Sequence, residues 1–136
     1  MTMNSIVKKA MKKLSKGRRI HTRGVRKTAV KLAKRYGEDP EKAAVAAMFH
    51  DMCRGMDRKL LNECVKEFDL PKKYENHESL AHGKIAAELM KRRYGIRDED
   101  ILNAVRYHTT GRAGMSQLEK IIYLADSIEP GRKYPG

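Results

Sequence analysis

The stretch AVAAMFHDMCRGM, Ala44 to Met56, constrains the fold more than any other part of the chain. Val45, Met48 and Phe49 read as buried core, yet His50 and Asp51 follow them at once. An imidazole and a carboxylate placed in a core cost desolvation energy unless something compensates. Neighbours on a helix project about 100° apart, so both can face one point only near a helix end. Gly55 suggests that the helix ends there.

The rest of the chain reads as helical, with no convincing strand. A first helix is expected from about Asn4 to Leu14, and a second from near Arg18, with Val25, Ala29, Leu32, Ala33 and Tyr36 at helical spacing up to Gly37. Asp39 and Pro40 fit the N-cap and first position of a third helix, Glu41 to about Asp51, which is apolar nearly all round and so central. Asp57 opens a fourth helix through Phe68, and a loop, DLPKKYENHES, leads to a fifth from about Ser79 to Tyr94. Asp98 caps a short sixth, EDILNAVRYH, and the last runs from Gln117 to Ile128. The expected fold is an all-α, single-domain helical bundle filling residues 1–136.

Four histidines lie on the apolar stripes of four of these helices. His21 precedes Val25 by four residues, and His82 precedes Ile85, Ala86 and Leu89 by three, four and seven. His108 follows Ile101, Ala104 and Val105 by seven, four and three, and Asp126 follows Ile122 by four. Such spacings turn each side chain toward the core. His77 sits in a polar loop. One such histidine alone is an ordinary core-edge residue bonded to a carbonyl. Four, with two carboxylates, are costly to bury unless they share a cation, which supplies charge and fixes the tautomers. Imidazole and carboxylate donors suit Fe, Mn, Co or Zn, and the lack of cysteine ligands argues against a closed structural zinc site. Cys53 and Cys64 read as reduced, structural thiols.

The net charge of +13 is concentrated at one end. No acidic residue precedes Glu38, and from there on seventeen basic residues balance seventeen acidic ones. The basic helices, about residues 4–37, suit anion steering, a solvated face or nucleic acid; only Tyr36 offers an aromatic ring for stacking. The start of the chain lacks the apolar core of a signal peptide, and no stretch reaches membrane-spanning length, so a cytoplasmic location is expected.

His21, then His50-Asp51, then Asp126 resembles the H…HD…D signature of the HD-domain metal-dependent phosphohydrolases. HTRGV, YGEDPEKAAVAAMFHD, SLAHGKIAAELM and DEDILNAVRYHTTGRAGMSQLEKIIYLADSIEPGRKYPG resemble the YqeK-type symmetrical bis(5'-nucleosyl)-tetraphosphatases, from about His21 to Gly136. The resemblance implies an HD-type bundle with its metal-binding core at about residues 18–130, and a dinuclear centre, iron by preference, with Mn, Co, Zn or Mg as alternatives. His21, His50, Asp51 and Asp126 would hold one ion; Asp51 would bridge to a second held by His82 and His108. Asp51, His82 and His108 would be the catalytic set. The implied reaction is symmetrical cleavage of diadenosine tetraphosphate to two ADP, with water activated between the metals.

Substrate contacts are expected from Thr109, Gly111 and Arg112 directly after His108, and from Glu129 and Arg132. Arg54 stands where the family usually has lysine, which keeps the charge but replaces a point charge by a planar fork. Relatives usually continue past YPG with a further helical stretch, whereas this chain stops at Gly136. Two other readings stand beside this one. Another nucleotide could be the substrate: a monophosphate, a cyclic dinucleotide or an alarmone, although HDMCRGM lacks the E-D pair usual in alarmone hydrolases. A basic RNA-binding module is the non-enzymatic reading, and it leaves the core histidines unexplained. The expected partner is a nucleotide or dinucleoside polyphosphate, with no membrane; a homodimer stays open.

Overall fold

A computed structural model describes residues 12–128. Its elements are α1 (Lys16–Tyr36), α2 (Pro40–Phe49), α3 (Arg58–Glu67), a 3-10 turn (Lys72–Tyr74), α4 (Glu78–Arg93), α5 (Glu99–Arg106) and α6 (Gln117–Ile128). No strand occurs among the described residues. No helix there is long and apolar enough to cross a membrane. The all-α expectation holds.

Local chemistry sets the helix ends. Ser15 caps α1, its Oγ accepting from the Arg18 N–H at 3.3 Å, so the helix starts slightly earlier than expected. Gly37 closes it at φ 74°, a left-handed conformation that suits glycine. Asp39, Asp57 and Asp98 each accept backbone N–H groups at the heads of α2, α3 and α5. A cap of this kind contributes about 1 kcal/mol. The expected helix over about Asn4–Leu14 lies largely outside the described residues; Lys12 and Lys13 form a turn before Ser15.

The core gathers around α2. Ala43, Val45, Ala46, Ala47, Met48 and Phe49 are all buried, which accounts for a helix apolar on nearly every side. It packs against α1, α5 and α6, while α4 covers α5 and α3. Phe49 alone, fully buried, contributes about 2–3 kcal/mol. Helix α2 stops at Phe49, leaving His50 as its C-cap and Asp51 in the following turn. The expected sixth helix is also shorter: α5 ends at Arg106, Tyr107 caps it, and His108 lies in the turn beyond.

Candidate metal centre

The helix ends bring the predicted donors to one place. Ligand atoms of His21, His50 and Asp51 lie within 4.8 Å of one another, and so do those of Asp51, His82 and His108. Asp51 is common to both groups. Its Oδ2 lies 3.6 Å from His21 Nε2, and its Oδ1 lies 3.8, 3.7 and 3.9 Å from Nε2 of His50, His82 and His108. Asp126 joins from α6, with Oδ1 at 3.0 Å from His21 Nε2 and 3.3 Å from His50 Nε2.

The tautomers follow from the backbone. Nδ1–H of His50 donates to the Ala47 carbonyl at 2.5 Å, that of His82 to Glu78 at 3.1 Å, and that of His108 to Val105 at 2.6 Å. In each neutral ring Nε2 is then a bare lone pair. Nε2 of His82 and His108 stand 3.0 Å apart, lone pair toward lone pair. Nε2 of His50 is fully buried and makes no hydrogen bond of good geometry. Three lone pairs and two carboxylates thus converge on buried space without a matching set of donors. A protonated ring would relieve the conflict only by charging a buried imidazole; a cation relieves all of it. The residues fit a divalent metal.

The electrostatics agree. Burial works against charge on His50, yet the Asp126 and Asp51 carboxylates push its pKa up. Burial, then His50 and His82, hold His108 down to about 3, so this ring is neutral. Burial alone would raise Asp51, but His82, His50 and His108 keep it well below the usual carboxylate range.

Close packing assembles the second group. A Cβ on Gly83 would stand 2.8 Å from the Val105 carbonyl oxygen and 3.1 Å from His108 Nδ1. Only glycine lets α4 approach the end of α5 closely enough for His82 to meet His108. The next residue, Lys84, is buried and donates from Nζ to the Arg106 carbonyl (2.9 Å) and Thr110 Oγ1 (3.2 Å). It ties down the turn carrying His108 on both sides. Burial pushes its pKa down.

The expected substrate residues fare unevenly. Arg54 lies in the turn after Asp51, one-third exposed, with Nε 3.9 Å from Glu78 Oε1. Thr109 is exposed beside His108. Gly111 adopts φ 66°, but its N–H already donates to Tyr107 at 2.8 Å. Arg112 forks onto buried Glu119 through Nε (2.8 Å) and Nη2 (2.9 Å), and its guanidinium lies over the Tyr107 ring. Glu129 and Arg132 lie outside the described residues.

Sequence reasoning missed Arg18, whose Nη1 is 3.7 Å from Asp51 Oδ2 with part of the side chain open to solvent. Its one signal was the place three residues before His21, one turn along the same helix face. Glu78 was missed as well: its Oε1 accepts the Gly55 N–H at 2.7 Å, joining the turn after Asp51 to the head of α4.

Comparison with known proteins gives the same picture. The HD domain family matches residues 18–131. The chain is 45% identical over 124 residues to the symmetrical bis(5'-nucleosyl)-tetraphosphatase of Bacillus subtilis (strain 168), covering 90% of this chain and 67% of that protein. It is 39% identical over 137 residues to the protein of the same name from Staphylococcus aureus (strain NCTC 8325 / PS 47), covering 100% and 71%. The crystal structure of a predicted HD superfamily hydrolase involved in NAD metabolism, from Clostridium acetobutylicum, superposes with a TM-score of 0.89 at 41% identity, covering 100% of this chain and 73% of that one. The chain therefore belongs to the HD-domain family, in the branch of the symmetrical bis(5'-nucleosyl)-tetraphosphatases.

Proposed function

We propose that this chain is a metal-dependent hydrolase that cleaves a dinucleoside tetraphosphate at its central anhydride, taking diadenosine tetraphosphate and water to two ADP. The observation that carries the reading is the convergence of imidazole lone pairs on Asp51 within an HD fold whose relatives bear that name. His21, His50, Asp51 and Asp126 would hold one ion and His82, His108 and Asp51 the second. The all-N/O donor set suits Fe, Mn, Co or Zn alike; the family resemblance favours iron and leaves Mg as a further alternative. When bound, such a pair supplies Lewis acidity that activates water and neutralises charge on the phosphates, so no serine or cysteine nucleophile is needed.

The chain's own residues do the remaining work. Asp51 sits between the two groups, Oδ2 toward His21 and Oδ1 toward His50, His82 and His108, a position common to both. Arg18, 3.7 Å from Asp51 Oδ2, and Arg54, in the turn after Asp51, would offer guanidinium donors to phosphate oxygens. The Thr109 hydroxyl adds a donor beside His108. Arg112, committed to Glu119, is assigned to holding its loop rather than to binding phosphate. Glu129 and Arg132 are kept as contacts on the strength of the family resemblance alone. Buried free thiols at Cys53 and Cys64 suit a reducing cytoplasm.

The test is product analysis. Protein loaded with iron or manganese is incubated with diadenosine tetraphosphate and the nucleotides are resolved. Two ADP is the expected result. AMP with ATP rejects central cleavage, and no turnover beside hydrolysis of another nucleotide moves the enzyme to that substrate.

A further inference from the structure

The outer face of α1 carries a charge pattern that the centre does not use. Lys16, Arg19, Arg23, Arg26, Lys27, Lys31 and Lys34 fall within an arc of about 140° at 100° per residue. The opposite face, with Thr22, Val25, Ala29 and Ala33, is buried. No acidic residue occurs anywhere in α1. Among the described residues, none of these seven pairs with a carboxylate, although Lys42, Arg92 and Arg112 elsewhere all do.

This arrangement opposes the helix that bears it. Arg19–Arg23, Arg23–Lys27 and Lys27–Lys31 are like-charge neighbours four apart, each costing a few tenths of a kcal/mol. A face kept only for solubility would be served as well by mixed charges. The stripe spans about 27 Å from Lys16 to Lys34 at 1.5 Å per residue. The four phosphates of a dinucleoside tetraphosphate are too few to engage its seven cations. A polynucleotide backbone, with one charge on every nucleotide, is long enough to follow it from end to end.

We propose that the outer face of α1 docks the phosphate backbone of single-stranded RNA, independently of sequence and of the hydrolase reading. The inner half of α1 is packed on α2 and α6, so the helix presents a line of cations and does not enter a duplex groove. A membrane surface fits less well, because Ile20 is the one large exposed apolar side chain described on the outer face of α1, too little for an inserting face.

The test uses the full, metal-loaded chain and a fluorescein-labelled RNA 20-mer, read by anisotropy. With about six phosphates neutralised, the slope of log K against log[salt] is near −4, so binding weakens about 250-fold between 50 and 200 mM salt. Lys27→Glu, Lys31→Glu and Lys34→Glu together, all beyond the metal ligand His21, should abolish binding at 100 mM salt. Metal content and hydrolysis of the small substrate should stay at the wild-type level. The same three positions changed to Gln should weaken RNA binding with no loss of Tm, which separates lost contacts from lost folding. Binding that is absent at 50 mM salt, insensitive to salt, or unchanged in both triple variants overturns the proposal. So does tighter binding to phosphatidylserine vesicles than to the RNA.

Discussion

Replacing Gly83 with alanine tests whether close approach of α4 to the end of α5 builds half of the metal centre. The added Cβ would lie 2.8 Å from the Val105 carbonyl oxygen, about 0.6 Å inside ordinary contact, with His108 Nδ1 at 3.1 Å and the Arg106 carbonyl oxygen at 3.2 Å. Two of these three atoms are backbone, so the relief has to come from moving α4 away from α5. Overpacking of this kind costs about 1–3 kcal/mol. Alanine in a helix interior returns about 1 kcal/mol. The net is a loss of up to about 2 kcal/mol, or up to roughly 10 °C in Tm for a domain of this size, with the metal readout independent of that balance. Separation also widens the 3.0 Å gap between His82 and His108, so metal retention at that pair should fall. Thermal melts and metal analysis of the same preparation read both effects. Gly17 is the control: it lies in the first turn of α1 with nothing within 4 Å of a Cβ, so Gly17→Ala should hold or raise Tm. A Gly83→Ala protein with wild-type Tm and full metal content would refute the reasoning.

Lys84→Met removes both hydrogen bonds that tie down the turn holding His108; metal affinity at that pair should weaken about 10- to 100-fold in a chelator competition, with the other ion retained. Arg18→Ala should raise KM for the tetraphosphate far more than it lowers kcat, and equal loss in both would place Arg18 elsewhere in the reaction. Glu119 is held below its ordinary value of 4.5 by Arg112 and Ser116, which outweigh burial. Its stabilisation is therefore complete above that value and lost as pH falls through the lower folded value. The Tm gap between metal-free wild type and Glu119→Gln should be wide at about pH 6 and shrink as pH drops from about 5 to 3, and a gap independent of pH would contradict the pairing.

Much of this centre could be read from residue spacing, because its donors sit on helices whose apolar periodicity already points inward. The spacings alone place His21, His82 and His108 on core stripes and His50-Asp51 at a helix end. The shorter α5 was less legible: EDILNAVRYH keeps helical spacing through His108, but the chain turns at Tyr107, where the His108 Nδ1–H reaches the Val105 carbonyl. What stayed hidden depends on contacts between elements. Arg18 disappears in a run of like charges, and only the fold reveals that it lies beside Asp51. Lys84 reads as a surface lysine and Gly83 as a mild helix breaker until α5 is packed against them. The Arg112–Glu119 pair is hidden as well, because Glu119, seven residues later on another element, gives no local sign of pairing.

The central claim is that the buried lone pairs and carboxylates around Asp51 are held for cations. Metal analysis of the protein purified without oxygen or chelator tests it most directly. About two divalent ions per chain are expected in the wild type and loss of both in Asp51→Asn, with Tm falling as they are removed. A folded wild-type chain that carries no metal, and whose Tm does not move on titration with iron, manganese, cobalt, zinc or magnesium, would contradict it.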